Sequence, residues 1–436
     1  MDRHSINLFY IGELMTEISL SKTKAGIPVI TDHIPDCLSA GYMVTVRTGS
    51  RDEDKDVLGI SHLLEHVVFR STKTRSSYQI AKEMEGAGGM MNAFTAKEAT
   101  GYFGLTIGET ADIARELVSD IVANPLIGDE DTEMEKKIVL QELSMIKNDP
   151  GSYIYDLIDE LVWEGHDLGQ GEGGKEDIVE GLDYEDLREY YYDRYGAPNI
   201  AVFAVGDVDE KTSVEWASDI FDDMEAKTAP SRTGPPMPKS NYKFVSNSAD
   251  HYQVALALPT VGPTDSDSRY AMTMLSAVLG SGTSSRLFQE VREKNALVYS
   301  VHSAWSRSTD AAYMGMFMSS TAENVTKSID ATSKVIRTFL DEGLGKGELE
   351  RSKRLIKGEM VRSQESTARR MTSVAREFML TGKLFSLYDV LSKIDAVTGE
   401  EVMKAAEQIL TSDSLNTVIL GNEDKAIKDM EINMDF

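Results

Sequence analysis

A proline-rich segment near the middle of the sequence most strongly limits how this chain can fold. Residues 226–240 read AKTAPSRTGPPMPKS and hold four of the eleven prolines of the 436-residue chain. Proline fixes φ and donates no backbone hydrogen bond, so helix and central strand are disfavoured and an extended, semi-rigid connector is expected. The segment leaves two nearly equal parts, each long enough for its own core. We predict a first domain at residues 1–225, a linker at 226–240 and a second domain at 241–436.

The two parts repeat one order of elements. In the first, the helical stretch QIAKEMEGA precedes GMMNAFTAKEATGYFGLTI, which is typical of two strands joined by a turn. In the second, RLFQEVREKN precedes ALVYSVHSAWSRSTDAAYMGMFM, again a helix followed by two strands. Later, TEMEKKIVLQELSM resembles ELERSKRLIKGEMV. Helices and strands do not alternate regularly, so the pattern predicts an α+β fold with one duplicated unit.

The composition argues against several classes of function. The formal net charge is −27, whereas nucleic-acid binding needs a basic surface. No apolar stretch approaches the length of a membrane span, and the first residues lack the basic region and apolar core of a signal peptide. Cys37 is the single cysteine, so an intramolecular disulfide is impossible. We expect a cytoplasmic protein that contacts neither nucleic acid nor membrane.

The run GISHLLEHVVF at residues 59–69 places two histidines and a glutamate in an otherwise apolar stretch. Its apolar residues recur at helical spacing and predict an amphipathic helix with one buried face. His62, Glu65 and His66 fall at i, i+3 and i+4 and share the opposite face. HxxEH is the arrangement of the inverted zinc proteases, so the motif predicts a metal site.

A catalytic zinc needs a third protein ligand and an open fourth position. The stretch EKKIVLQE offers Glu135 and Glu142, seven residues apart on one face of a predicted helix. The spacing alone does not choose between them. In such an acidic chain, a solvated helix face is the alternative interpretation of either residue.

At these residues the chain resembles the inverted zinc metallopeptidase family of pitrilysin, insulin-degrading enzyme and mitochondrial processing peptidase. The run VRTGSRDEDKDVLGISHLLEHVVFRSTKTRS follows the family's glycine turn, acidic stretch and HxxEH helix. The family's third ligand lies about 76 residues past the second histidine, which selects Glu142 and leaves Glu135 as a supporting acidic residue. The resemblance implies two homologous domains, each a mostly antiparallel sheet packed with helices, and one zinc ion per chain.

The resemblance also implies roles in peptide hydrolysis. Glu65 would be the general base, and Asn92 and Ala93 in GMMNAFTAKEATGYF would present a strand edge to the peptide substrate. Arg292 and Tyr299 in SSRLFQEVREKNALVYS match the family's arginine–tyrosine motif, which would hold substrate carbonyls and the oxyanion. The stretch WEGHDLGQGEGGKEDI departs from the family pattern, which bears on substrate preference.

Family members enclose a chamber with four domains, whereas this chain supplies two. The resemblance therefore implies a homodimer in which the second domain of one protomer completes the zinc site of the other. Two alternatives stay open: a non-catalytic partner subunit of the same fold, and a protease dedicated to one leader peptide. VLGSGTSSRLF lacks the third glycine and the GK[ST] of phosphate loops, which argues against nucleotide binding.

Overall fold

The computed structural model describes residues 17–262, 264, 266–430, 432, 434 and 436. The stretch without signal-peptide features is MDRHSINLFYIGELMTE, and its residues 1–16 lie outside the described residues. The strands are β1 Glu17–Lys22, β2 Pro28–His33, β3 Ser39–Val46, β4 Met90–Thr95, β5 Thr100–Ile107, β6 Ile200–Gly206, β7 Asn241–Ser246, β8 Tyr252–Val261, β9 Val298–Arg307, β10 Ala311–Ser320 and β11 Asn416–Gly421. The helices are α1 Ile60–Val67, α2 Ser77–Gly86, α3 Ala111–Ala123, α4 Asp129–Asn148, α5 Pro150–Val162, α6 Glu176–Gly181, α7 Tyr184–Arg194, α8 Glu210–Phe221, α9 Ser268–Gly280, α10 Val325–Glu342, α11 Glu348–Ser363, α12 Thr367–Thr381, α13 Leu387–Ala396, α14 Gly399–Ile409 and α15 Lys425–Lys428.

The strands form one sheet in each half of the chain, and the two sheets share a topology. The first has the order β1-β2-β6-β3-β5-β4 and the second β7-β11-β8-β10-β9. When β1 is set aside and the five remaining strands of each sheet are counted in chain order, from β2 and from β7, both sheets have the spatial order first, fifth, second, fourth, third. β2 runs parallel to β6 and β7 runs parallel to β11, while the other neighbouring pairs are antiparallel. The predicted α+β fold with two homologous, mostly antiparallel sheets is confirmed.

Each sheet is covered on one face by helices of its own half. In the first half, Leu63 and Leu64 of α1 and Leu117 and Ile121 of α3 are fully buried in one cluster with Val44 of β3. Helix α9 occupies the corresponding place in the second half, against β9. The predicted helix at RLFQEVREKN differs in type, because Phe288–Lys294 form a π-helical segment.

The other face of each sheet is covered by a helix from the opposite half. On the first sheet, Met371, Ala375 and Phe378 of α12 pack against Met43 and Phe203. Gly41 makes room for this helix, because a Cβ there would lie 3.2 Å from the Met371 sulfur. The predicted limits 1–225 and 241–436 therefore separate the two sheets but not the helices that cover them.

Helix α5 makes the reciprocal contact on the second sheet. Ile154, Leu157 and Ile158 are buried against Tyr313 of β10 and Val418 of β11. α5 follows α4 just as α12 follows α11, and α4 and α11 carry the two similar sequence stretches. The exchange therefore has the same twofold character as the duplicated sheets.

The proline-rich segment runs between α8 and β7 without helix or strand, as expected. It is held more firmly than a simple connector, because Arg232 donates two hydrogen bonds to Asp52, at 2.7 and 2.8 Å. Arg51 of the first half donates to Thr233 of the linker and to both carboxylate oxygens of Asp310 in the second half. Among the helices of the described residues, none is long and apolar enough to span a membrane.

Candidate metal centre

Helix α1 presents the predicted histidine face because its other face is buried. Leu63 and Leu64 are fully buried in the core and fix the helix against the first sheet. Gly59, which precedes the first turn, has φ +97°, and a Cβ there would lie 2.7 Å from the carbonyl oxygen of Gly173. A side chain at this position is therefore excluded by both conformation and space.

Helix α4 packs against α1 and completes a three-residue cluster. The Nε2 atoms of His62 and His66 lie 3.8 and 3.5 Å from Oε2 of Glu142. Each of the three residues offers one potential ligand atom, and these three atoms all lie within 4.8 Å of one another. Glu142 is 45% exposed, so the cluster opens to solvent on one side. The fold thus brings together three residues that were predicted from the sequence.

The donor set fits zinc. Two imidazole nitrogens and one carboxylate oxygen are a common catalytic zinc set, and the solvent-open side leaves room for a fourth ligand. Burial, together with the charge of His66, lowers the pKa of His62 to about 4, although Glu142 opposes this shift. The His62 imidazole is therefore neutral near pH 7, which is the form that binds a metal.

Glu135 is placed behind the cluster rather than in it. Its Oε2 lies 3.1 Å from Nδ1 of His66, and its other oxygen lies 3.5 Å from Arg70. Burial acts to lower the pKa of His66, but the hydrogen bond with Glu135 and the charge of Glu65 outweigh it and raise the pKa. Glu135 thus orients the His66 ring with Nε2 toward Glu142, as expected of a carboxylate that supports a metal ligand.

Glu65 lies between the histidines along α1 and is held from the sheet. The hydroxyl of Thr95, the last residue of β4, donates a 2.5 Å hydrogen bond to Oε2 of Glu65. Burial raises the pKa of Glu65, while the Thr95 hydrogen bond and the charge of His66 act against this rise. A partly buried carboxylate with a raised pKa beside a metal cluster is suited to accept a proton.

Asn92 and Ala93 lie on β4, the edge strand of the first sheet. They pair with Phe103 and Tyr102 of β5 on one side, and within the described sheet the other side of β4 has no neighbour. The Asn92 side chain accepts a hydrogen bond from the Ala93 N–H at 2.8 Å. The strand that carries these residues therefore leads directly to the Thr95–Glu65 contact.

Arg292 and Tyr299 form a separate pair in the second half. The Arg292 guanidinium lies 5.9 Å from the centre of the Tyr299 ring, and Tyr299 is 79% exposed. Within one chain, no hydrogen bond or ion pair between described residues joins this pair to the metal cluster. Their roles toward substrate stay a prediction.

Sequence analysis missed two residues that fix α1 and Glu65. Glu53 is 4% exposed and accepts hydrogen bonds from the backbone N–H groups of Gly59 and Ser61, at 2.7 and 2.9 Å. Since position 59 holds no side chain, Glu53 supplies the acceptor at the helix start. Thr95 is the second residue. It lies two positions after Ala93 and therefore on the same face of the strand, which could have indicated it from the sequence.

Family models and relatives match most of this chain. A family model described as Insulinase (Peptidase family M16) matches residues 29–172, and one described as Peptidase M16 inactive domain matches residues 181–356. An uncharacterized zinc protease of Mycobacterium tuberculosis is 33% identical over 391 residues, which cover 88% of this chain and 89% of that protein. One of Bacillus subtilis is 30% identical over 392 residues, which cover 89% and 94%.

Two crystal structures share the fold. A protease from Helicobacter pylori has a TM-score of 0.86 at 21% identity, covering 93% of this chain and 100% of that one. A peptidase M16 inactive domain from Pseudomonas fluorescens has a TM-score of 0.85 at 19% identity, covering 94% and 98%. These similarities extend over both sheets.

Proposed function

Because this chain belongs to the insulinase family of peptidases (peptidase family M16), we propose that it is a zinc-dependent endopeptidase. Its substrates would be oligopeptides or unfolded segments of polypeptide. The observation that carries the proposal is the convergence of His62, His66 and Glu142 on one point, with Glu65 beside them on α1. The names of the relatives support zinc as the metal.

His62, His66 and Glu142 would hold the metal in this proposal. A zinc ion held by them would supply Lewis-acid chemistry that polarises the scissile carbonyl and makes water a better nucleophile near pH 7. The Glu65 carboxylate accepts the proton of the attacking water and returns it to the leaving amine. Thr95 keeps the Glu65 oxygen oriented, and Glu135 keeps the His66 ring oriented.

Substrate binds along the edge of β4 in this proposal. An extended peptide would add a strand beside Asn92 and Ala93, so that main-chain hydrogen bonds supply much of its affinity. The open edge of β4 and its path toward Glu65 support this mode. Arg292 and Tyr299 would contact substrate carbonyls and the developing oxyanion.

Among the described residues of one chain, no hydrogen bond or ion pair joins Arg292 and Tyr299 to the metal cluster, which supports a homodimer. In a twofold dimer, the exposed pair of one protomer would face the metal centre of its partner, giving two equivalent sites. Sedimentation equilibrium tests this directly, since the chain mass is 48.2 kDa. A species at the chain mass throughout would contradict the dimer.

The experiment for the proposed activity is cleavage of an unstructured peptide mixture, read by mass spectrometry. Zinc-loaded wild type is compared with Glu65→Gln, which keeps the ligands and removes the base, and with Glu85→Gln, an exposed glutamate on α2. We expect cleavage by wild type and Glu85→Gln, and a loss of about 100-fold or more in Glu65→Gln.

Metal analysis of the same samples separates the alternatives. Zinc retained by Glu65→Gln, together with lost cleavage, supports a base acting beside an intact metal site. If zinc-loaded wild type cuts no peptide, the chain is a non-catalytic partner subunit or a protease dedicated to one leader peptide. Equal cleavage by Glu65→Gln and wild type would refute the assigned role.

A further inference from the structure

The second half contains a cavity in the place that corresponds to the metal centre of the first. The shared sheet topology pairs α1 with α9, β4 with β9 and α4 with α11. In the first half, the metal centre is built from α1, the end of β4 and α4. The cavity is lined by α9, the end of β9 and α11, and also by α12, α13 and the first sheet. We call it the cationic cavity.

Basic side chains dominate its lining. Among the described residues around the cavity, five are cations and two are carboxylates, although the chain as a whole has a formal net charge of −27. Where the first half gathers carboxylates and histidines that suit a metal ion, the corresponding place here gathers guanidinium groups. The charged lining residues are Asp32, Arg269, Arg307, Arg370, Arg376, Glu377 and Lys383.

Two arginine side chains approach one carboxylate, and a third arginine lies beside it in sequence. Glu377 lies 3.2 Å from Arg269 and 2.8 Å from Arg307, so a single negative charge faces two guanidinium groups. Arg376, next to Glu377 on α12, makes no hydrogen bond or ion pair with any described residue. Burial and the nearby charge of Arg307 lower the pKa of Arg376, although the charge of Glu377 opposes this shift. A bound anion would relieve this repulsion.

The cavity also offers a neutral donor and room for a ligand. The indole Nε1–H of Trp305 on β9 is buried without a hydrogen-bond partner among the described residues. A buried donor in this state carries a desolvation cost that an acceptor on a ligand would remove. The volume is about 340 Å³, within the range of small-molecule sites.

We propose that the cationic cavity binds a small organic anion, a dicarboxylate or a phosphate ester, held by Arg307 and Arg376 with the Trp305 N–H as a further donor. Guanidinium groups bind carboxylate and phosphate oxygens through paired hydrogen bonds, which favours these two chemistries. Asp32 of β2 also lines the cavity. The ligand would therefore lie where the two halves meet.

The test is calorimetric titration of the intact protein at low ionic strength with succinate and, separately, with inorganic phosphate. We expect saturable binding that weakens as chloride is added. Arg376→Gln should weaken binding about 10- to 100-fold, the usual effect of losing one charged hydrogen-bonding partner. Because Arg376 makes no hydrogen bond or ion pair with a described residue, this variant should keep the wild-type circular dichroism spectrum and melting temperature.

Arg115→Gln is the matched control, since Arg115 lies on α3 in the first half, where it forms an ion pair with Asp112, whose side chain is 82% exposed. It should bind like wild type, and Arg307→Gln should behave like Arg376→Gln. Binding of succinate alone assigns a carboxylate ligand, and binding of phosphate alone assigns a phosphate ester. Absence of saturable binding with both probes, or unchanged affinity in Arg376→Gln, would overturn the proposal.

Discussion

Replacing Arg51 by methionine tests whether one buried arginine joins the two halves. Its side chain is 2% exposed, and it donates to Glu98 of the first half and Thr233 of the linker. It also binds Asp310 of the second half through two hydrogen bonds of 2.8 Å. Methionine fills similar space but leaves two carboxylates without this partner, so the free energy of unfolding should fall.

The size of the loss follows from what remains near those carboxylates. Removing one partner of a buried ion pair costs about 3–5 kcal/mol. Glu98 keeps Arg232 at 3.7 Å and two hydrogen bonds from Thr309, and Asp310 is 24% exposed. These contacts place Arg51→Met at the lower end, about 3 kcal/mol. The ratio of folded to unfolded protein would then fall about a hundredfold.

Urea denaturation followed by tryptophan fluorescence measures this loss, because Trp216 reports on the first half and Trp305 on the second. Arg115→Met is the control, since the ion pair of Arg115 with the exposed Asp112 predicts a change below about 1 kcal/mol. Equal losses in the two variants would refute the claim that the Arg51 contacts stabilise the junction of the halves.

Two further predictions concern buried groups. Met371→Ala should lower the free energy of unfolding by about 2–5 kcal/mol, because it opens a cavity between α12 and the first sheet; a loss below about 1 kcal/mol in urea denaturation would contradict that packing. Burial raises the pKa of Glu53 from 4.5 to about 7, against hydrogen bonds from Gly59 and Ser61 and with the charge of Asp52 adding to the rise. The folded state therefore keeps a proton that the unfolded state has released, and stability falls as pH rises from 4.5 to 7, by about 3 kcal/mol from this group. Glu53→Gln should remove that part of the slope, and parallel pH profiles for variant and wild type would contradict it.

The histidines and glutamate of α1 in the proposed metal centre were predictable because helical spacing puts them on one face. His62, Glu65 and His66 needed only the periodicity of α1, which the buried Leu63 and Leu64 confirm. Spacing could not choose between Glu135 and Glu142, because residues seven apart lie on the same helix face. They are about 10 Å apart along the axis, and the sequence does not say which of the two lies level with the histidines. The structure explains the ambiguity: Glu142 approaches Nε2 of both histidines, whereas Glu135 approaches Nδ1 of His66.

The supports of the site were not predictable from spacing. Glu53 reaches the start of α1 only because the chain turns between residues 53 and 59 and buries the carboxylate at 4% exposure. In sequence it is one acidic residue in the run RDEDKD, where a solvated position is the ordinary expectation. Glu53 differs from its acidic neighbours because Gly59, at the start of α1, has no side chain to accept the hydrogen bonds at the helix start. Position 59 has to be glycine because the Gly173 carbonyl oxygen occupies the space of a Cβ, and only the fold shows this contact.

The exchange of α5 and α12 between the halves follows from the twofold symmetry of the fold and not from the sequence pattern of either helix. Met371, Ala375 and Phe378 recur at i, i+4 and i+7, which predicts a buried face but not the sheet that buries it. Met43 of that sheet, which packs in one cluster with Met371, lies more than 300 residues earlier in the sequence. Because the halves are duplicated, however, α5 on the second sheet requires α12 on the first if the twofold relation holds for both. Unfolding either half then exposes an apolar face of the other, so the two sheets should lose structure together.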